Sequence, residues 1–174
     1  MVSYEVKIRN DFFISALFVE NNITTYISEK LKISNTENSI LLGNKKEAIS
    51  FNQKIELLLD SDEFSIIDKS KLSVFREIHN ELLGNKAISS FEDCFTSLNH
   101  NDDFLLILYP QSDYLPREEK LTNACYHLIG EVSELVAEYT NKPEVKLATK
   151  KNYFNIDALK LSKFAFLFSF LFIR

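Results

Sequence analysis

Three features of the chain predict an all-α bundle of five to seven helices. Only 3 Gly and 3 Pro occur in 174 residues, too few turn-formers for a many-stranded β sandwich. Apolar residues make up 45% of the chain, which argues against general disorder and suits one domain with a proper core. Apolar positions three and four apart recur along the chain, several of them preceded by a helix-start signature. The organisation expected is a single helical domain. It comprises a lead-in arm over 1–10, a main bundle over 11–140, and an extension over 141–174 with a Phe-rich tail.

Taken in order, residues 1–10 contain VSYEVKI, whose short alternation suits a strand or an extended arm. Asn10 or Asp11 then caps a long helix running to about Ile33. Phe13, Leu17, Ile23, Ile27 and Leu31 mark its core face, with Phe12, Ala16 and Tyr26 beside it. Residues 34–49 read as a loop in which Ile40, Leu41 and Leu42 pack across the end of the bundle and Gly43-Asn44 makes a turn. The Lys residues after Gly43 do not make it a phosphate-binding loop, because the pattern G-x4-G-K-[ST] is not there.

The stretch from Ser50 to Leu98 holds three helix starts. Ser50 and Gln53 have capping-box spacing ahead of Phe51, Ile55, Leu58 and Leu59, with Lys54 and Glu56 off that face. The run DSDEF ends that helix, because short polar side chains compete for backbone hydrogen bonds. Ser65 and Asp68 open the next, whose apolar face is Leu72, Phe75, Ile78 and Leu82. Gly84-Asn85 closes it, both residues accepting a left-handed conformation. Ser89 and Glu92 repeat the capping signature before Phe91, Cys94, Phe95 and Leu98. Short connections favour antiparallel neighbours.

Phe51-Asn52-Gln53-Lys54-Ile55, then Leu57-Leu58-Leu59, then Phe75 through Asn85 resemble the small all-helical mannitol-repressor-like family and the wider group of HEPN-like domains. The resemblance covers roughly residues 10–100. In that group a later helix carries a pattern like Ile-Arg-Asn-x-Phe-x-His-Asn. Here Ile78 and Asn80 match and Asn85 closes the pattern, while His79 stands at the Arg position, Leu82 at the Phe and Gly84 at the His. HEPN-type ribonucleases pair an Arg and a His in an R-x4–6-H motif, one holding phosphate and one moving a proton. Arg76 is followed at those distances by Glu81 and Leu82, so the resemblance implies a relative that kept the scaffold and lost the pair. A ribonuclease built here would use Arg76, His79 and Asn80, which share a helix face. The bland reading of that cluster is a solvated face with weak ion pairs.

Beyond Leu98, Asp102 and Asp103 beside His100 look like metal ligands but precede an apolar run, where acidic groups cap and solvate an element start. No metal and no cofactor is expected. Phe104–Tyr109 suits either a strand or a buried helical turn. Pro116, with Glu118 and Glu119 after it, opens a helix whose stripe is Leu121, Ala124, Cys125, Leu128, Val132, Leu135, Val136 and Tyr139. His127 lies beside the stripe, Gly130 suggests a close helix crossing, and Asn141-Lys142-Pro143 ends the helix.

A net charge of −5 with no basic cluster makes direct DNA or RNA binding a poor expectation. Cys94 and Cys125 lie on apolar faces of different helices and read as small core side chains. MVSYEVKIRNDF lacks the apolar core of a signal peptide, so a cytoplasmic location with reduced thiols is expected. The tail carries Phe164, Phe166, Phe168, Phe170 and Phe172 within an apolar decamer. As a helix it spans about 15 Å, half a bilayer core, so it is no transmembrane segment. It packs within this chain, on a partner or second copy, or at a membrane surface.

Three functions are compatible with these features. The foremost is a non-catalytic protein–protein interaction module, a regulator acting through a protein partner or as a homo-oligomer; the mannitol-repressor resemblance implies transcriptional control through that partner. The alternatives are a HEPN-type ribonuclease or its degenerate relative, and an acidic immunity or antitoxin-like protein that neutralises a basic toxin.

Overall fold

The structure, a computed structural model, describes residues 4–43, 45–98 and 103–141. Among them lie six helices and no strand: α1 (Tyr4–Lys30), α2 (Phe51–Asp60), α3 (Ile66–Gly84), α4 (Phe91–Leu98), α5 (Asp103–Leu108) and α6 (Arg117–Asn141). This is the all-α bundle the spacing predicts. The described residues form one compact unit.

α1 starts at Tyr4, so the stretch read as an arm or strand is helical from residue 4 onward. Tertiary contacts override the short alternation. Ile8 is buried in the core, and the Arg9 guanidinium donates to the carbonyls of Leu82 and Asn85, each at 2.8 Å, and to that of Ile88. At its other end α1 closes with a Schellman motif. Ile33 N–H donates to Ser28 O at 2.8 Å and Lys32 N–H to Glu29 O at 3.1 Å. Lys32 takes φ 55° in place of the usual glycine.

The two capping boxes are built as the spacing predicts. Ser50 Oγ accepts from Gln53 N–H, and Gln53 Oε1 accepts from Ser50 N–H; Ser65 and Asp68 do the same for α3. Two other ends differ from expectation. No glycine here has a positive φ, and Asn85, at φ −102° and ψ 107°, ends α3 in extended conformation. Arg9 binding the last carbonyls does the work a left-handed residue does elsewhere. At α4 the cap is Ser90, not Ser89. Ser90 Oγ accepts from Asp93 N–H at 3.0 Å, while the Glu118 carboxylate takes the amides of Phe91 and Glu92 at 3.1 and 2.7 Å. An acidic residue from the first turn of α6 thus caps a second helix. Of Phe104–Tyr109, open between strand and helix in the sequence, all but Tyr109 fall in α5.

α1 packs most extensively on α6. Phe12 reaches Tyr126 through Phe91, Asn22 donates to Ser133 Oγ at 2.9 Å, and Tyr26 reaches Tyr139 through Phe64. Both helices therefore run the same way. Their shared core takes Leu121, Ala124, Cys125, Leu128, Val132 and Val136 from α6, and Phe12, Ala16, Val19, Ile23, Tyr26 and Ile27 from α1. The phase of α1 is thus turned from the predicted one: Phe13, Leu17 and Leu31 are exposed. Lys54, predicted off the core face of α2, is buried and pairs with Glu20 at 2.7 Å. Gly130 is exposed, and a Cβ built there meets nothing within 4 Å; no helix crosses close to it.

Candidate functional site

Arg76, His79 and Asn80 lie on adjoining turns of α3, and each side chain meets different neighbours. Arg76 Nη1 lies 3.4 Å from Glu56 Oε1 of α2, a long surface pair of small energetic weight. His79 turns inward. Its ring packs on Phe51 with centroids 4.4 Å apart and lies 6.5 Å from Phe12 and 6.4 Å from Phe75. Burial among these rings pushes the His79 pKa below its ordinary 6.5, against smaller upward pulls from Asn80 and Glu20. Its Nδ1 lies 3.2 Å from the Oδ1 of Asn80, itself exposed. A half-buried imidazole stacked on a phenyl ring, with an amide on one nitrogen, is held in place and favours its neutral form. The arrangement brings two of the three residues onto α2 and leaves Asn80 in solvent.

Other polar groups resolve into structural roles. Glu81 accepts from Ser97 Oγ at 2.6 Å and Asn85 Nδ2 at 2.7 Å, which lower its pKa and tie the end of α3 to α4. Burial pushes Glu131 upward, but hydrogen bonds from Lys71 and Tyr109 outweigh it and leave its pKa lowered. Cys94 is pushed up to about 12 and Cys125 well above its ordinary value, both mainly by burial; such thiols are poor nucleophiles. His127 stacks on Tyr109, rings 5.8 Å apart and 13° from parallel, beside a depression lined by Gln111, Asn123 and Tyr126. Among the described residues no three His, Cys, Asp or Glu side chains gather as metal ligands, and no helix is long and apolar enough to cross a membrane. His100, Asp102 and the Phe-rich positions Phe164, Phe166, Phe168, Phe170 and Phe172 lie outside the described residues.

The feature that sequence reasoning missed is the outer face of α1. Phe13 is 48% exposed, Ile14 65%, Leu17 44% and Phe18 62%, four large apolar side chains within two turns. Single exposed apolar residues are ordinary; a contiguous group marks a contact surface. The sequence signal was present in Phe12-Phe13-Ile14-Ser15-Ala16-Leu17-Phe18-Val19. This run is apolar on every side of a helix, and such a helix has two faces to cover. The chain matches no protein family, no curated protein and no solved structure.

Proposed function

We propose that this chain is a non-catalytic helical interaction module, a regulator that acts through a protein contact. The observation that carries the reading is the outer face of α1, with Phe13, Ile14, Leu17 and Phe18 exposed together. A rigid helix face with large apolar side chains is how proteins present a docking surface at low conformational cost. The net charge of −5 agrees with a protein partner more than with a polyanion. Transcriptional control through that partner, as the mannitol-repressor resemblance implies, belongs to the same proposal, as does a cytoplasmic location.

Capture from host lysate with the full chain and with Phe18→Glu tests it. The expected result is a stoichiometric protein species held by the parent and lost by the variant, with no RNA cleavage by either. One observation favours a second reading: Arg76 and His79 occupy neighbouring turns of α3 beside Glu56 and Asn80. RNA cleavage that disappears in His79→Ala, with the fold retained, establishes the ribonuclease reading and overturns the module.

A further inference from the structure

The outer face of α1 has a mirror order along the chain. Between Asn10 and Asn21 its exposed residues run Asn10, Phe13, Ile14, Leu17, Phe18, Asn21, with Lys7 exposed one turn before them. About the midpoint between Ser15 and Ala16, Asn10 mirrors Asn21, Phe13 mirrors Phe18, and Ile14 mirrors Leu17. Each reflection exchanges like for like: amide for amide, phenyl for phenyl, branched aliphatic for branched aliphatic. A surface of that order is complementary to itself turned end for end, which is what a two-fold interface requires, residue i meeting j while j meets i. From this pattern we infer that the face binds a second copy of this chain, α1 pairing antiparallel with α1 about a two-fold axis at that midpoint.

The chemistry of the strip agrees. At 100° per residue Ile14 and Leu17 straddle its centre line, Phe13 and Phe18 flank it, and Asn10 and Asn21 close the two ends. In the pair, Ile14 and Leu17 of the two copies fill the seam. Phe13 of one copy covers the seam from one side and Phe18 from the other. Each Asn10 amide meets an Asn21 amide of the second copy, satisfying donors and acceptors at the rim. None of the six residues is charged, so two copies of a chain with net charge −5 meet without facing like charges. Two acidic groups flank the strip at equal angles, Asp11 on one side and Glu20 on the other; Glu20 is already paired with Lys54.

From Asn10 to Asn21 the strip is about 16 Å long. A contact of about three helical turns is smaller than a standard interface of roughly 800 Å² per partner, so the pairing is reversible. It presupposes that the outer face of α1 is the interaction surface proposed above, and it names the partner.

Sedimentation velocity of the full chain across the micromolar range tests it. The weight-average mass should climb from 20.2 kDa toward twice that value. Phe18→Glu and Ile14→Asp, both at exposed positions, should each move the midpoint at least tenfold upward while the far-UV spectrum stays unchanged. Register is read by cysteine pairing, the native thiols being buried. Asn10→Cys mixed with Asn21→Cys should form the mixed disulfide. Asn10→Cys alone should form none, since its copies lie about 16 Å apart along the pair. A disulfide in Asn10→Cys alone shows a parallel pair and overturns the register. A chain that stays monomeric throughout overturns the self-pairing. If that monomer still captures another protein in a Phe18-dependent way, the module reading stands without it; if it captures none, both fail.

Discussion

α1 and α6 are the two long helices of the bundle, 27 and 25 residues, and they pack along one another in the same direction. α6 sorts its residues. Leu121, Ala124, Cys125, Leu128, Val132 and Val136 lie inside, and Glu119, Glu134 and Glu138 lie in solvent. α1 does not. Phe12 and Val19 lie inside with 1% and 0% exposure, while Phe13 and Phe18, next to them in sequence, are about half exposed. The bundle covers the apolar stripe of α6, leaving Tyr126 38% exposed beside it, and covers α1 on one face only. An amphipathic helix is complete once its stripe is covered; a helix apolar on every side is complete only when something else covers the rest.

Phe12→Ala removes a ring that touches Phe75 and Phe91 at centroid distances of 5.8 and 6.2 Å and should cost about 3–5 kcal/mol in urea unfolding. Phe13→Ala, one residue on and 48% exposed, should cost less than about 0.5 kcal/mol in dilute solution. Equal losses at the two positions would show that the faces are not distinct.

Next comes the clamp that fixes the start of α1. Arg9→Ala leaves the carbonyls of Leu82, Asn85 and Ile88 without their shared donor. It should lower stability by about 2 kcal/mol, because hydrogen bonds to a charged group are worth more than neutral ones. Arg9→Lys should recover only part, since an ammonium lacks the planar fork.

On α6 the outer face tolerates change of the opposite sign. Gly130 is exposed and a Cβ there meets nothing, so Gly130→Ala should raise stability by about 0.5–1 kcal/mol through helix propensity. Thermal unfolding reads it directly.

The smallest effect is a pH slope. His79 has its pKa lowered from 6.5 by burial, so the unfolded chain binds its proton more readily than the native one. Stability from this group is fully present above about pH 6.5 and is lost as pH falls toward the lower native value. Glu81 and Asp93, also lowered, act in the same direction but only below their ordinary values of 4.5 and 3.8. His79→Gln should flatten the slope between pH 6.5 and 4.5 and leave the acid limb unchanged, as followed by urea midpoints against pH.

Local signals were the legible part of this fold. Ser50 with Gln53 and Ser65 with Asp68 each carry their own partner within three residues, so spacing alone places two helix starts. Cys94, Cys125 and the stripe of α6 follow from period, because polar residues fix its phase. Where phase was not fixed, reading failed. In Phe12-Phe13-Ile14-Ser15-Ala16-Leu17-Phe18-Val19 either of two rotations gives an apolar stripe, and only packing against α6 selects Phe12, Ala16 and Val19. Distant partners were equally hidden. Nothing near Arg9 announces the carbonyls of the α3–α4 turn, and nothing near Glu118 announces the amides of Phe91 and Glu92. At α4 the spacing of Ser89 and Glu92 pointed one residue too early, since it is Ser90 Oγ that takes the Asp93 amide. Ribonuclease residues suggested by resemblance met a different constraint: three aromatic rings claim the face of His79.

Hydroxyl-radical footprinting of the full chain, at a concentration well below the association midpoint and again well above it, reads the two faces of α1 separately. Phe12 should be protected at both concentrations. Phe13, Ile14, Leu17 and Phe18 should label in the dilute sample and become protected together in the concentrated one, while Tyr114, 97% exposed, labels equally in both. Protection of Phe13 and Phe18 at every concentration, or labelling of both at every concentration, would contradict the account of α1 as a helix with one face buried at home and the other reserved for its own copy.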